Sequence, residues 1–405
     1  MEPAGSLFSE VDLTLTKKET NALKKVPSSV QESKVIPSRK KTRGGLLGTI
    51  VRRFLLVLAT VVLLLFGDLL LVLNLVFNGP SPTARNQLTM TLIEASATKW
   101  VPALFIGEDA VADIRTSIVD AELKDDVTDV NTVIINRGNM ISGTDEWADY
   151  PDGIRIEQVA GDTYNAHVMI VRDPAQVYLG ISTQTGFSTN TPGKRITAAI
   201  EDEGAIAAIN AGAFNDDGTA GSHVGSIPEG LVYSQGNCVW KTGAPPNGIT
   251  GFAGFNEDNV LIVHKENISQ AQAEEFNIRD GCCFGPVLIM NSEINMEAYN
   301  NVAGLNPRTA IGQRKDGAVI FVCIDGRQPS SKGGEYADII DIMVEYGAVN
   351  ARNMDGGSST VMMYRDTYGK YGTAGQVQMM NSYSLLQAEP RRMPDFWMVR
   401  PAGKE

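Results

Sequence analysis

The sequence predicts an exported α+β domain, strand-rich and mixed-sheet with a few packing helices, preceded by one transmembrane helix. Three observations lead there. The run FLLVLATVVLLLFGDLLLVLNLVF, residues 54–77, is apolar throughout except for one charge, Asp68. Beyond residue 153, short runs rich in β-branched and aliphatic residues alternate with Gly, Asp and Asn clusters, as strands and turns do. Clear helical periods in that region are few.

The elements follow in chain order. Residues 1–53 carry eleven Lys/Arg against five Asp/Glu, are poor in aromatic residues, and read as a disordered basic tail. Residues 54–77 form a helix that rises about 36 Å, enough to cross a bilayer with some tilt. A cleaved signal peptide fits poorly, because the apolar run is too long and starts far from residue 1. Arg39, Lys40, Lys41, Arg43, Arg52 and Arg53 precede the run, while only Arg85 and Lys99 lie close behind it. The positive-inside bias therefore puts the tail in the cytoplasm and everything after residue 78 outside. Asp68 is costly in lipid; a helix–helix contact and snorkelling both account for it. The formal net charge of −12, with the acidic balance in the body, argues against nucleic acid as a partner. Nothing in the pattern sets the oligomeric state.

Residues 78–152 read as a stalk or accessory segment. NGPSPT breaks the membrane helix, and Glu108 to Leu123 mixes apolar and acidic residues at helical spacing. Residues 153–400 form the main domain. YNAHVMIV, QVYLGI, AIAAIN, GLVYS, NVLIVH, GPVLIM, TAIGQ and AVIFVCI read as strands. KRITAAIEDEG reads as a helix ending at Gly204, and GEYADIIDIMVEYG as one ending at Gly347, with Tyr336, Ile339, Ile340 and Met343 on one face. The four cysteines, Cys238, Cys282, Cys283 and Cys323, all fall in the exported part. They lack zinc-site spacing; Cys238 could bridge to Cys282 or Cys283, or all could stay buried thiols.

Three polar clusters sit at expected strand ends. AINAGAFND places Asn210 and Gly212 where an apolar run stops, although Asn-x-Gly is also a common turn. NPRTAIG places Arg308 before a strand, and VCIDGRQ places Asp325 and Arg327 after the next. Two arginines at the ends of adjacent strands would make a fork for an anionic oxygen group, although KDG at 315–317 makes this pair a good plain hairpin too. NARNMDGGSST places Asn353, Asp355, Gly356, Gly357, Ser358 and Ser359 behind a helix, with Asp355 at the mouth of the sheet. His223 lies in the loop AGSHVGSIPEG, where it would line a site; His167 reads as structural. GGSST is no nucleophile elbow, and TPGKR is no phosphate loop.

DPAQVYLGI, AINAGAF, FGPVLIMN, NPRTAIGQRKDGAVIFVCIDGRQ and YGAVNARNMDGGSSTVMMY occur in the order seen in the phosphodiester glycosidase family. The chain resembles that family over roughly residues 155–400. Each motif alone is weak; the ordered set is specific. Two departures occur: Asn210-Ala211-Gly212-Ala213-Phe214 stands where members often have Asn-Gly-Gly-Phe, and Asn353-Met354-Asp355 where Asn-Leu-Asp is usual. Both keep the polar residues. Bacterial relatives are often labelled exopolysaccharide-biosynthesis proteins.

The resemblance, which does not extend to the tail or the apolar helix, implies a hydrolase that cleaves the bond between an anomeric carbon and a phosphodiester oxygen; joined to the expected membrane helix, it gives as the leading reading a membrane-anchored, extracytoplasmic glycosidase acting on an envelope glycopolymer. A phosphodiester leaves readily, so the chief need is charge stabilisation on the departing phosphate, which suits Arg308, Arg327 and backbone N–H groups at Gly356 and Gly357. An oxocarbenium-like centre needs a carboxylate, with Asp355 first and Asp325 second. Asn210, Gly212, Asn353, Ser358, Ser359 and His223 would bind substrate, and Glu229 is a reserve carboxylate. No cofactor is required in this scheme. Two alternatives stand beside it: a non-catalytic module that binds anionic glycans or joins an export complex, and a phosphodiesterase using Ca²⁺ or Mg²⁺ on oxygen ligands such as Asp325 and Asp355.

Overall fold

The computed structural model describes residues 43–93, 98–116, 123–135, 146–188, 190–215, 224–242, 251–301, 303–383 and 389–403. Contacts divide the chain into two units, Met1–Phe66 and Gly67–Glu405. The described part of the first unit is helical and belongs to the helix Arg43–Phe77, which runs on into the second. Within that helix, Gly48–Phe77 is long and apolar enough to cross a membrane. The helix starts at Arg43, earlier than Phe54, because adding turns to an existing helix costs little and no proline interrupts the basic flank. The rest of the basic tail, and its expected disorder, lies outside the described residues.

In the second unit, the segment expected to be a stalk includes three helices among its described residues: Pro82–Ile93, Val101–Ile106 and Glu108–Thr116. The last matches the start of the helix expected from Glu108; residues 117–122 are outside the described set. Phe77 is buried and stacks on Phe105, with ring centroids 5.0 Å apart. That contact seats the end of the long helix on this helical cluster.

The strand-rich α+β domain follows. A seven-stranded sheet has the order Ile154–Ala160, Asn165–Val171, Val319–Ile324, Arg308–Arg314, Ala348–Met354, Val287–Met290, Glu293–Ile294. One five-stranded sheet runs Leu261–His264, Phe252–Asn256, Ile278–Cys283, Leu231–Ser234, Asn237–Lys241. The other runs Val377–Met379, Met362–Arg365, Ala207–Asn210, Asp395–Val399, Val177–Ile181. Every pairing among these strands is antiparallel, so the mixed character lies in sheets joined to helices, not in strand direction. Short connections such as that at 315–317 permit only antiparallel neighbours.

All three sheets turn one face to a common core. Met169, Val171 and Phe321 come from the large sheet, Phe255 and Leu261 from one small sheet, and Leu179, Ile209 and Trp397 from the other. The period of two sends the alternate residues outward. Val168, Ile170, Ile320 and Val322 pack against Ile339, Ile340 and Met343 of the helix Tyr336–Glu345. Ala208 and Met398 likewise meet Ile196 and Ile200 of the helix Ile196–Glu203.

The cysteines are all free thiols, which settles the open question of a bridge from Cys238. Neighbours in a strand point to opposite faces, so Cys282 packs in the common core while Cys283 packs in the cluster behind its sheet. Trp397 sits fully buried where two sheets meet, its ring edge-on to Phe255 with centroids 5.7 Å apart. Trp397→Ala is expected to destabilise the protein by about 3–5 kcal/mol; thermal denaturation of the full chain in detergent measures it, and an unchanged midpoint would contradict the common core.

Candidate functional site

The ends of four strands meet at one place. Arg308 opens its strand opposite Ile324, so Asp325 emerges beside Arg308. Thr309 pairs with Met354 on the other side, so Asp355 emerges there. Asn210 ends the strand Ala207–Asn210 of the neighbouring sheet. Its side chain, fully buried, joins the layers. The Asn210 Oδ1 accepts from Thr309 Oγ1 at 2.8 Å and from Val361 N at 3.2 Å, and its Nδ2 donates to the Asp355 carbonyl at 2.5 Å. The Asp355 N–H donates to Ala211 O at 3.1 Å, closing the junction.

The chain then turns sharply. A Cβ on Gly356 would stand 2.7 Å from the Pro307 carbonyl, too close for any side chain. Gly357 has φ +61° and opens the 3-10 turn Gly357–Ser359. Both glycines are therefore required by geometry. The Gly357 N–H is spent on Pro307 O at 2.8 Å, so this residue supplies space, and the expected backbone donor there is corrected.

Two guanidiniums flank that turn. A Cβ on Gly357 would lie 3.2 Å from both terminal nitrogens of Arg327, which also donates to Asn306 Oδ1 at 3.0 Å. Arg327 itself has φ +57°, a left-handed conformation that costs a non-glycine residue roughly 1–3 kcal/mol and recurs at functional sites. On the other side, Arg391 donates to Ser358 Oγ at 3.2 Å and lies 4.8 Å over the Phe214 ring. Burial pushes the Arg391 guanidinium down to about 10. Tyr383 donates to the Ser358 carbonyl at 2.5 Å and accepts from the Arg391 N–H at 3.2 Å. Burial raises the Tyr383 phenol, and the nearby Asp355 charge adds to the rise.

The expected residues divide accordingly. Asn210, Asp355, Gly356, Gly357, Ser358 and Arg327 form one connected cluster, with Asp355 half-buried. Asp325 stands at the same layer, but its carboxylate is buried. It accepts from Ser382 N at 3.0 Å and lies 3.6 Å from His167 Nε2. The strands leading to the two aspartates flank one strand between them, so their backbones stand roughly 10 Å apart. Asp325 thus braces the 382–383 segment and stands beside His167. The expected fork of Arg308 and Arg327 is also corrected. Arg308 is 2% exposed, donates to the carbonyls of Gly334, Ala303 and Gly304 at 3.1, 3.0 and 2.9 Å, and lies 4.4 Å over Tyr336. A guanidinium so surrounded by carbonyls holds a loop.

Three further expectations change. Asn353 is buried and donates to Gly285 O at 2.8 Å, away from the turn. Ser359 is buried, and its hydroxyl has no partner among the described residues. Gly212 faces inward, its N–H donating to Asp395 Oδ1 at 2.8 Å, and a Cβ there would stand 3.0 Å from Cys282. Glu229 is buried as well. His223 lies outside the described residues. Sequence reading missed Arg391, Tyr383 and Asp395; the only signal for the first was the pair Arg391-Arg392 beside prolines. Among the described residues no group of three or more His, Cys, Asp or Glu is gathered for a metal ion.

Residues 203–400 match the family described as phosphodiester glycosidase. The SPbeta prophage-derived uncharacterized protein YomE of Bacillus subtilis strain 168 is 25% identical over 191 residues, covering 46% of this chain and 27% of that protein. The chain therefore spans about a quarter of that relative's length. Among solved structures, the catalytic domain of zebrafish N-acetylglucosamine-1-phosphodiester alpha-N-acetylglucosaminidase, auto-inhibited by its pro-peptide, is similar at 19% identity and TM-score 0.47, covering 61% of this chain and 82% of that one. A hypothetical protein from Synechocystis is similar at 17% identity and TM-score 0.41, covering 61% of each chain.

Asp395 yields a pH test. Burial pushes its carboxyl from the ordinary 3.8 up to about 7, against the opposing pull of the Gly212 N–H. Between those values the unfolded chain gives up a proton that the folded chain keeps. Stability therefore falls as pH rises from about 4 to about 7 and levels off above, by on the order of 4 kcal/mol. Asp395→Asn is expected to flatten that slope in denaturant titrations at a series of pH values; the same slope in the variant would assign it to other groups.

Proposed function

We propose, from the match of residues 203–400 to the family described as phosphodiester glycosidase, that this chain is a membrane-anchored hydrolase that cleaves the glycosidic bond of sugar-1-phosphodiesters in envelope glycopolymers. The positive-inside bias supports an outward-facing domain. The observation that carries the reading is the bracketing of the Gly357–Ser358 turn by Arg327 and Arg391, directly after the half-buried Asp355.

The chemistry divides between the two sides of the turn. When the anomeric C–O bond breaks, negative charge grows on the phosphate. Arg327 and Arg391 are held in advance by Asn306, Ser358 and Phe214, so they stabilise that charge with little reorganisation. The sugar ring becomes electron-poor, and the Asp355 carboxylate serves it as nucleophile or as base for water. Asn210 fixes the backbone from which Asp355 projects. Asp325 positions Ser382 and, through that segment, Tyr383. The Ser358 hydroxyl, oriented by Arg391, is the candidate contact for a sugar hydroxyl. This scheme uses no cofactor. Cleavage assisted by Ca²⁺ or Mg²⁺ at the P–O bond is the competing chemistry.

Hydrolysis in heavy-oxygen water separates the two. Label in the released sugar is expected; label in the phosphate would mean P–O cleavage. Asp355→Asn is expected to lower kcat at least about 10³-fold while the far-UV spectrum is kept. Arg391→Lys and Arg327→Lys should each cost about 10²-fold. Full activity in Asp355→Asn would remove the central residue of the scheme.

A further inference from the structure

Beside the candidate site lies a groove of about 630 Å³, lined by Val76, Ala84, Leu88, Leu305 and Pro329, with Arg327 and Lys332 on its wall. Three features of this groove point to one occupant. First, Val76 is the second-last residue of the long apolar helix, so the groove begins where that helix would leave a bilayer. Second, the apolar lining is joined by two cations, which suits a ligand with a hydrocarbon tail and an anionic head. Third, Arg327 belongs to both places. It lines the groove, and its guanidinium lies against Gly357 in the turn after Asp355.

The walls are built firmly. A Cβ on Gly304 would stand 2.5 Å from Thr91 Oγ1, so the helix Pro82–Ile93 sits directly on the 303–305 loop. Arg308 clamps that loop through Ala303 O and Gly304 O. Gln87 donates to Glu335 Oε1 at 3.0 Å and ties the same helix to the sheet domain. The buried Arg308 thus shapes the groove.

We propose that, beside a phosphodiester within a polymer, the site takes a lipid-linked one: a sugar-1-phosphodiester whose second ester carries a long hydrocarbon chain. The chain lies along Val76, Ala84, Leu88 and Leu305, and the phosphate meets Arg327. Water adds its oxygen to the anomeric carbon, the bond from that carbon to the phosphate oxygen breaks, and the products are the free sugar and the lipid phosphate monoester. The cleavage rests on the hydrolase reading above; the binding does not, and can be scored without turnover.

The test uses the full-length protein in nanodiscs of neutral phospholipid. Two synthetic substrates share one sugar-1-phosphate and differ in the second ester, one methyl and one long-chain isoprenyl. The isoprenyl diester is expected to show a KM at least tenfold lower. Ala84→Trp and Leu88→Arg should abolish that advantage and leave kcat/KM for the methyl diester unchanged. Equal KM values, or an advantage that survives both variants, would overturn the proposal. Binding of a fluorescent isoprenyl phosphodiester is measured in parallel. Groove-dependent binding with neither diester cleaved supports the lipid site and refutes the hydrolase reading. Binding that ignores both variants overturns the lipid site, whatever the turnover.

Discussion

The candidate site depends on one buried amide. Asn210 is fully buried and serves two sheets at once, accepting from Thr309 and Val361 and donating to the carbonyl of Asp355. Burying an amide is costly unless its groups are paired, so the partners must be in place together. A slip of one residue in either sheet would turn Asn210 or Thr309 to the opposite face and break the set. Register in both sheets is therefore coupled here, and the direction in which Asp355 leaves its strand follows from that coupling. The two glycines after Asp355 complete the constraint, since the Pro307 carbonyl leaves no room for a side chain at Gly356.

The arginines show how charge is allotted in such a frame. A guanidinium carries five donors in a rigid fork, so it can bind carbonyls as readily as anions. Arg308 uses its fork on three backbone carbonyls and a tyrosine face, and thereby holds the 303–305 loop. Arg327 and Arg391 instead lie along one turn beside a carboxylate that is only half-buried. The same residue type thus builds the support in one place and the charged wall in another. The Asp325 carboxylate belongs with the support, because its contacts are Ser382 and His167.

Much of the fold was legible in the residues. Strands such as Val319–Ile324 and Val177–Ile181 are continuous apolar runs, and the helix Tyr336–Glu345 has a full apolar stripe before its glycine. The strand Ala348–Met354 was harder to see, although it lies inside the large sheet. It carries Asn350, Arg352 and Asn353, each buried and hydrogen-bonded to a partner far away in the chain; Arg352, for example, donates to the carbonyls of Phe284 and His264. Polar residues in such a strand defeat any pattern based on apolar alternation. The cluster at Asp355 was visible as a set of strand ends. Which side chains faced it was not.

Local sequence by itself determined the apolar helix, the strand-rich α+β class, and the turn after Asp355, because each depends on the period or the backbone freedom of adjacent residues. The tertiary structure alone decided that Arg391, from near the end of the domain, replaces Arg308 as the partner of Arg327 across the turn. It also decided that Asp325 and Ser359 are enclosed. Those outcomes depend on burial and on hydrogen-bond partners far apart in the chain, such as Arg392 with Gly193. No spacing within the chain encodes them, since they arise only when three sheets share one core.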